Sequence, residues 1–161
     1  MKPSDFEAIL ARIRNFSAHA KDIVALQEFT VELIADELPP YNWVGFYMLD
    51  PEDQSVLVLG PFCGAATPHV RIPVSQGICG AAVAQEQTVV VDDVAADPRY
   101  LACSIETRSE IVVPVRANGK VMGEIDIDSH APTAFGAEDR RFLEDCAEII
   151  GTYIESAESR K

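Results

Sequence analysis

Basic residues are scarce in this 161-residue sequence: 13 lysines and arginines stand against 26 aspartates and glutamates, for a formal net charge of −13. Such a chain repels phosphate backbones and anionic lipid headgroups, and no basic stretch offsets the repulsion, so neither nucleic acid nor a membrane is an expected partner. Long apolar runs are missing too. Ile111 to Val115 is among the longest and falls far short of a bilayer span, and Met1-Lys2-Pro3-Ser4-Asp5-Phe6 has no secretory apolar region, so a cytoplasmic protein is expected. There is no CxxC pair, Cys79 and Cys103 are 24 positions apart, and His19, His69 and His130 show no ligand spacing. A zinc centre is therefore not expected, and the histidines are read as surface residues. The sequence also lacks a phosphate-cradling glycine loop, a GxSxG elbow and an HExxH helix, so no cofactor is expected. Internal repeats, low-complexity tracts and linkers are absent, which leaves a single domain over residues 1–161.

What is present is an ordinary globular balance of 48% hydrophobic and 24% charged residues, in a chain long enough to bury about two thirds of its extended surface. Helices are predicted near Lys2–Ala18 and Asp22–Leu38, the second from Ile23, Leu26, Thr30, Leu33, Ile34 and Leu38 at helical spacing, with Pro39-Pro40 ending it. Trp43–Leu49 and Ser55–Leu59 flank the turn composition Asp50-Pro51-Glu52-Asp53 and predict a hairpin. Gly60–Pro68 reads as a loop, His69–Val74 and Thr88–Val91 as short strands, and Gly77–Ala84 as a small-residue helix. Glu110–Arg116 and Lys120–Asp128 flank Asn118-Gly119, which favours a type I′ hairpin, and Pro114 needs a free edge or bulge beside it. Phe142, Leu143, Cys146, Ile149, Ile150 and Tyr153 line one stripe of a last helix starting near Gly136 or Ala137. Helices, then strands, then a closing helix predict an α+β sandwich with the terminal helices on one sheet face.

Four residue groups bear on chemistry. Alternation along Lys120–Asp128 puts Val121, Gly123, Ile125 and Ile127 on one face and Met122, Glu124, Asp126 and Asp128 on the other. The acidic face is either a solvated sheet surface or, with Glu110 from the neighbouring strand, a carboxylate cluster in which mutual repulsion keeps a proton bound. Cys103 sits in the aperiodic segment Asp92–Ser109, with Arg108 nearby to favour a thiolate. Cys79, between Ile78 and Gly80 at a helix start, is either a buried small residue or a thiolate favoured by helix-start amides. The four cysteines, without an export signal, are read as thiols rather than a disulfide framework, and Cys146 belongs to the apolar stripe and to the core.

Asn42-Trp43-Val44-Gly45-Phe46-Tyr47, Leu59-Gly60-Pro61-Phe62, Val70-Arg71-Ile72-Pro73-Val74, Gly77-Ile78-Cys79-Gly80, Arg108-Ser109-Glu110-Ile111-Val112-Val113-Pro114 and Gly123-Glu124-Ile125-Asp126-Ile127-Asp128-Ser129 form a joint pattern over roughly residues 20–155. In that pattern the sequence resembles the free methionine-(R)-sulfoxide reductases. The resemblance implies a GAF fold, with a central antiparallel sheet of about six strands flanked by helices. It implies Cys103 as nucleophile, Glu110, Asp126 and Asp128 as carboxylates around the substrate, and Trp43 and Tyr47 as the aromatic wall. It further implies Cys79 as a thiol able to form a disulfide with Cys103, recycling by a thioredoxin-like reductant, and a homodimer. The family's additional cysteine, just before the strand resembling Val70–Val74, is replaced by His69, and Cys63 lies six positions upstream. Cys79 and Cys63 are thus both candidates for the resolving thiol. A non-enzymatic GAF module that binds a small ligand for signalling is the alternative reading.

Overall fold

The computed structural model describes residues 3–101 and 104–160, and its elements follow the hydrophobic periodicity of the chain. Helix α1 spans Pro3–Ser17 and α2 spans Ile23–Glu37. Asp22 opens α2 by accepting the Ala25 amide at 2.8 Å, which satisfies one of the orphan donors of the first turn. Strands β1 (Trp43–Asp50) and β2 (Asp53–Cys63) pair as the expected hairpin, followed by β3 (Arg71–Pro73), α3 (Gly77–Gln85) and β4 (Val89–Val91). Strands β5 (Ser109–Ala117) and β6 (Lys120–Ser129) and helix α4 (Ala137–Ser159) complete the chain.

The strands form one antiparallel six-stranded sheet in the order β3-β2-β1-β6-β5-β4. Asn118 and Gly119 have φ of 54° and 75°, the left-handed pair that a type I′ turn requires. Pro114 lies where β5 has run past its β4 partner, which ends opposite Val112, so the missing donor costs no ladder bond on that side.

Period-two alternation divides the interior in two. Val44, Phe46, Ile111, Val113, Val115, Ile125 and Ile127 face α1, α2 and α4 and form the larger core with Leu26, Ile34, Phe142, Leu143, Cys146 and Ile150. Trp43, Tyr47, Leu57, Val89, Val91 and Val112 point the other way and pack with Ile72 and with Ile78, Cys79 and Ala82 of α3. The terminal helices therefore cover one face, as expected, and α3 with its flanking loops covers the other. Along β6 that second face carries Glu124, Asp126 and Asp128.

Gly151 lets α4 approach β5: a Cβ there would run into the Arg116 carbonyl, a backbone group that cannot swing aside. Gly151→Ala gains helix propensity of about 1 kcal/mol but forces the helix off the sheet, at about 1–3 kcal/mol for overpacking. A fall in Tm of several degrees is expected in thermal denaturation, and an unchanged or higher Tm would show that α4 can shift without cost.

Two local expectations are corrected. Residues 60–63 continue β2 rather than starting a loop, because Val44 and Gly45 of β1 pair with Cys63 and Phe62. The segment read as Asp92–Ser109 without structure contains a short 3-10 turn at Val94–Ala96, held by the Asp93 carboxylate on the Ala95 amide at 3.1 Å.

Candidate active site

The acidic face of β6 is not solvated. Glu124, Asp126 and Asp128 are 0%, 3% and 3% exposed, and Glu110 on β5, opposite Asp128 in the register, is equally buried. The wet-sheet reading is thereby overturned: α3 and the loop around residues 64–70 cover the strands. Small residues make that cover possible. A Cβ at Gly80 would stand 2.9 Å from the Val74 carbonyl oxygen, so α3 packs directly on the β3 end only because glycine is there.

Cys79, in the first turn of α3, reaches down to the sheet, and its Sγ donates to Asp126 Oδ2 at 3.4 Å. Ligand atoms of Cys79, Glu110 and Asp126 all lie within 4.8 Å of one another. Glu110 is also hydrogen-bonded to both Asp126 and Asp128. Carboxyl groups this close favour keeping a proton between them, since two ionised carboxylates repel and cannot donate to each other. Burial pushes the carboxyls of Asp126, Asp128 and Glu124 up from the ordinary range. The charge of Asp126 adds to the rise at Asp128 and Glu124, whereas hydrogen bonds from Glu110 and Cys79 partly restrain it at Asp126. Burial first, and the charge of Asp126 second, thus shift this cluster toward the neutral acid form, the direction that the repulsion argument anticipates.

Of the two readings of Cys79, the buried residue holds and the thiolate does not. Helix-start amides do not lower its pKa; burial raises it well above that of a free thiol, and the charges of Asp126, Glu124 and Glu110 raise it further. Three nearby carboxylates outweigh the partial charge of a short helix end.

A cavity of about 20 Å³ lies at this cluster, lined by Tyr47, His69, Ile72, Ile78, Cys79, Leu101, Glu110 and Asp126, with Gly77 at its edge. Tyr47 donates its hydroxyl to the His69 carbonyl at 2.8 Å, tying the loop before β3 across the site. Trp43 stands behind, stacked on Tyr47 with centroids 6.2 Å apart and on Phe62 at 5.5 Å, while its Nε1 donates to the Ala65 carbonyl at 3.0 Å. Of the two predicted aromatic residues, Tyr47 lines the cavity and Trp43 braces it. A larger cavity of about 470 Å³ opens to solvent between α1 and α4, but its lining (Arg14, Asp145, Glu148, Tyr153 and neighbours) contains no thiol.

The structure brings Cys79, Glu110, Asp126, Asp128, Trp43 and Tyr47 to one sheet face. It does not bring Cys63 there. Cys63 ends β2 on the opposite face, half-buried against the larger core, where Glu32 and Asp36 of α2 add to the burial that raises its thiol pKa. The loop read over Gly60–Pro68 does not include Cys63, which belongs to a strand. Cys103 lies outside the described residues, although Leu101, two positions before it, lines the cavity. The histidine expectation holds for His19 and His130, which are exposed, and fails for His69, which is half-buried in the cavity wall. Its place in the sequence, where the family pattern has cysteine, is the signal that could have found it. Leu101 and Gly77 have no such signal. They belong to the site because a loop leucine packs on a helix start: a Cβ at Gly77, whose φ is +71°, would meet Leu101 Cδ1 at 2.9 Å.

Comparison with known proteins agrees with this geometry. A sequence model of the GAF domain matches residues 20–155. The free methionine-R-sulfoxide reductase of Escherichia coli is 37% identical over 86% of this chain and 78% of its own length. That of Saccharomyces cerevisiae is 42% identical over 68% of this chain and 61% of its own. The crystal structure of a free methionine-R-sulfoxide reductase from Neisseria meningitidis in complex with its substrate superposes with a TM-score of 0.93. It is 35% identical, with 100% of this chain and 95% of that one covered. With the sheet, the buried acids and the thiol all in place, the chain belongs to the GAF domain family and, within it, to the free methionine-R-sulfoxide reductases.

Proposed function

We propose that this enzyme reduces free L-methionine-(R)-sulfoxide to methionine, with Cys103 as nucleophile and the buried acids as proton source and ammonium site. The observation that carries the reading is the convergence of Cys79, Glu110 and Asp126 within 4.8 Å on a cavity walled by Tyr47. Oxide is a very poor leaving group, so attack at sulfoxide sulfur needs a protonated oxygen, and an acid kept neutral by burial can supply that proton. The oxygen passes to Cys103 as a sulfenic acid while the substrate sulfur is reduced to the thioether. The remaining carboxylates receive the α-ammonium, and Tyr47, backed by Trp43, holds the methyl-sulfur end.

Cys79 is then the resolving thiol. It lies in the cavity wall, whereas Cys63 is on the other side of the sheet. Its attack on the sulfenic acid forms the S–S bond as the S–OH bond breaks, and the thiol proton, relayed through Asp126 to which Sγ already donates, leaves with the hydroxyl as water. A thioredoxin-like dithiol closes the cycle. Cys79→Ser should still release about one methionine per chain in a single turnover but stall with thioredoxin, while Cys63→Ser recycles normally; the reverse pattern would exchange their roles.

A cavity of about 20 Å³ holds one water-sized group and not an amino acid, so substrate binding requires the cavity to widen. The reading places the enzyme in a reducing compartment such as the cytoplasm, where its thiols persist. Among the described residues no helix is long and apolar enough to cross a membrane. The homodimer implied by the resemblance is checked by sedimentation. Turnover of free methionine sulfoxide by the reduced protein decides between this reading and a signalling GAF module. Saturable binding with no methionine released would favour the module.

A further inference from the structure

The cavity keeps an acidic oxygen that no protein donor meets. Asp126 Oδ1, on a side chain that lines the cavity, has no hydrogen-bond partner among the described residues although the residue is 3% exposed, and the same holds for Asp128 Oδ1 and both Glu124 oxygens on the same strand face. Buried oxygens without a partner are costly, and they can ionise at little cost only where a cation meets them. During turnover the substrate ammonium fills that role. The same cavity also presents a thiol sulfur, which an ammonium does not need.

We propose that this cavity is also an inhibitory zinc site, in which Zn²⁺ is held by Cys79 Sγ and one carboxylate oxygen each from Glu110 and Asp126. Three observations converge on it. The ligand atoms lie within 4.8 Å of one another. Their residues line a cavity of about 20 Å³, enough for an ion and little else. The third is a distance: tetrahedral zinc, with bonds of about 2.3 Å to sulfur and about 2.0–2.2 Å to oxygen, sets its S and O ligands about 3.5 Å apart. Cys79 Sγ and Asp126 Oδ2 are 3.4 Å apart. Zinc is favoured over magnesium or calcium because those hard ions gain little from sulfur, and three protein ligands leave a fourth position for water.

The sequence offers no warning of this set, since its members stand on α3, β5 and β6 and have no ligand spacing. On binding, the Zn–S bond forms as the Cys79 S–H bond breaks. That proton, with the one shared by Glu110 and Asp126, leaves to solvent, and no electrons move. The ion would fill the ammonium subsite and tie up the resolving thiol. This inhibitory consequence rests on the reductase reading; the binding itself does not.

Reduced protein freed of metal by a chelator should bind one Zn²⁺ per chain in calorimetry with release of protons, and should not respond to Mg²⁺. Cd²⁺ should give a thiolate-to-metal absorption in the ultraviolet. Cys79→Ser should abolish that absorption and weaken Zn²⁺ about 100-fold or more, and Glu110→Gln about 10-fold or more, whereas Cys103→Ser and Cys63→Ser should keep both signals. No stoichiometric binding by the wild type, or an absorption that survives Cys79→Ser or disappears with Cys103→Ser, would overturn the site, whether or not any one variant folds poorly. In the Cys103→Ser protein, which cannot turn over, free methionine sulfoxide should compete with Zn²⁺; absence of competition removes the inhibitory role. Absence of turnover by chelator-treated wild type would instead sink the reductase reading and leave the metal site standing.

Discussion

Cys103→Ser is expected to lower reduction of free methionine-(R)-sulfoxide on the order of a thousandfold or more, to the level of the assay blank. A serine hydroxyl is not ionised near neutrality and is a poor nucleophile toward sulfur, and oxidation to a sulfenic acid has no counterpart at oxygen. The size change is small, so the thermal midpoint should stay within about 1–2 °C of wild type. The three other cysteines set the contrast. Cys146 is buried in the larger core, with burial raising its thiol pKa, and has no access to substrate. Cys63 is on the far face of the sheet, and Cys79 is held as a thiol by the acids around it. None of the three offers a ready thiolate. Cys103 is bracketed in sequence by Leu101 and Glu110, both of which line the cavity. Methionine release in a single turnover without reductant is the measurement, because it isolates the first chemical step from recycling. Near-normal release by the serine variant would end the mechanism, and release by the Cys79→Ser variant would confirm that the two thiols act in different steps.

The legible parts of this fold are those whose signal is local. Asn118-Gly119 specifies its hairpin because only residues tolerant of positive φ can make the turn, and the stripe from Phe142 to Tyr153 specifies a helix face because spacing alone sets it. Alternation along β6 likewise separates Ile125 and Ile127 from Asp126 and Asp128 without reference to any other strand. Alternation cannot say which face is wet. That depends on α3 and the loop before β3, whose packing on the acids comes from Gly80, from the Tyr47 bond to the His69 carbonyl and from the contact between Leu101 and Gly77. The loop reading at Cys63 and the thiolate reading at Cys79 fail for the same reason. Cys63 follows Gly60 and Pro61, a loop composition, yet the β1 partner strand extends β2 through it. The rule that helix starts favour thiolates is sound for Cys79 in isolation and fails once packing buries the thiol and β5 and β6 bring three carboxylates beneath it.

Glu110→Gln, Asp126→Asn and Asp128→Asn are each expected to lower kcat/KM on the order of 100-fold, through loss of a proton donor or an ammonium partner. Stability should move the other way for the two aspartates and for Glu124→Gln. Burial raises the folded-state pKa of Asp126, Asp128 and Glu124, so the folded protein binds more protons than the unfolded chain. Stability from these groups is therefore fully present below the unfolded carboxylate pKa of about 4 and is lost as pH rises through each folded value. An amide of the same shape is never charged and escapes that loss. Asp126→Asn, Asp128→Asn and Glu124→Gln should accordingly match or exceed wild type at neutral pH by about 1 kcal/mol, or about 2–4 °C in Tm. The wild type should gain Tm on mild acidification, and the variants should gain less. Opposite signs in activity and stability would mark carboxylates kept for chemistry at a cost to the fold. If Asp126→Asn lowers both, the acid is a structural partner of Cys79, since the Sγ bond to Oδ2 would then matter more than the charge. Tm profiles between mildly acidic and neutral pH, run beside steady-state kinetics on the same preparations, distinguish the two outcomes.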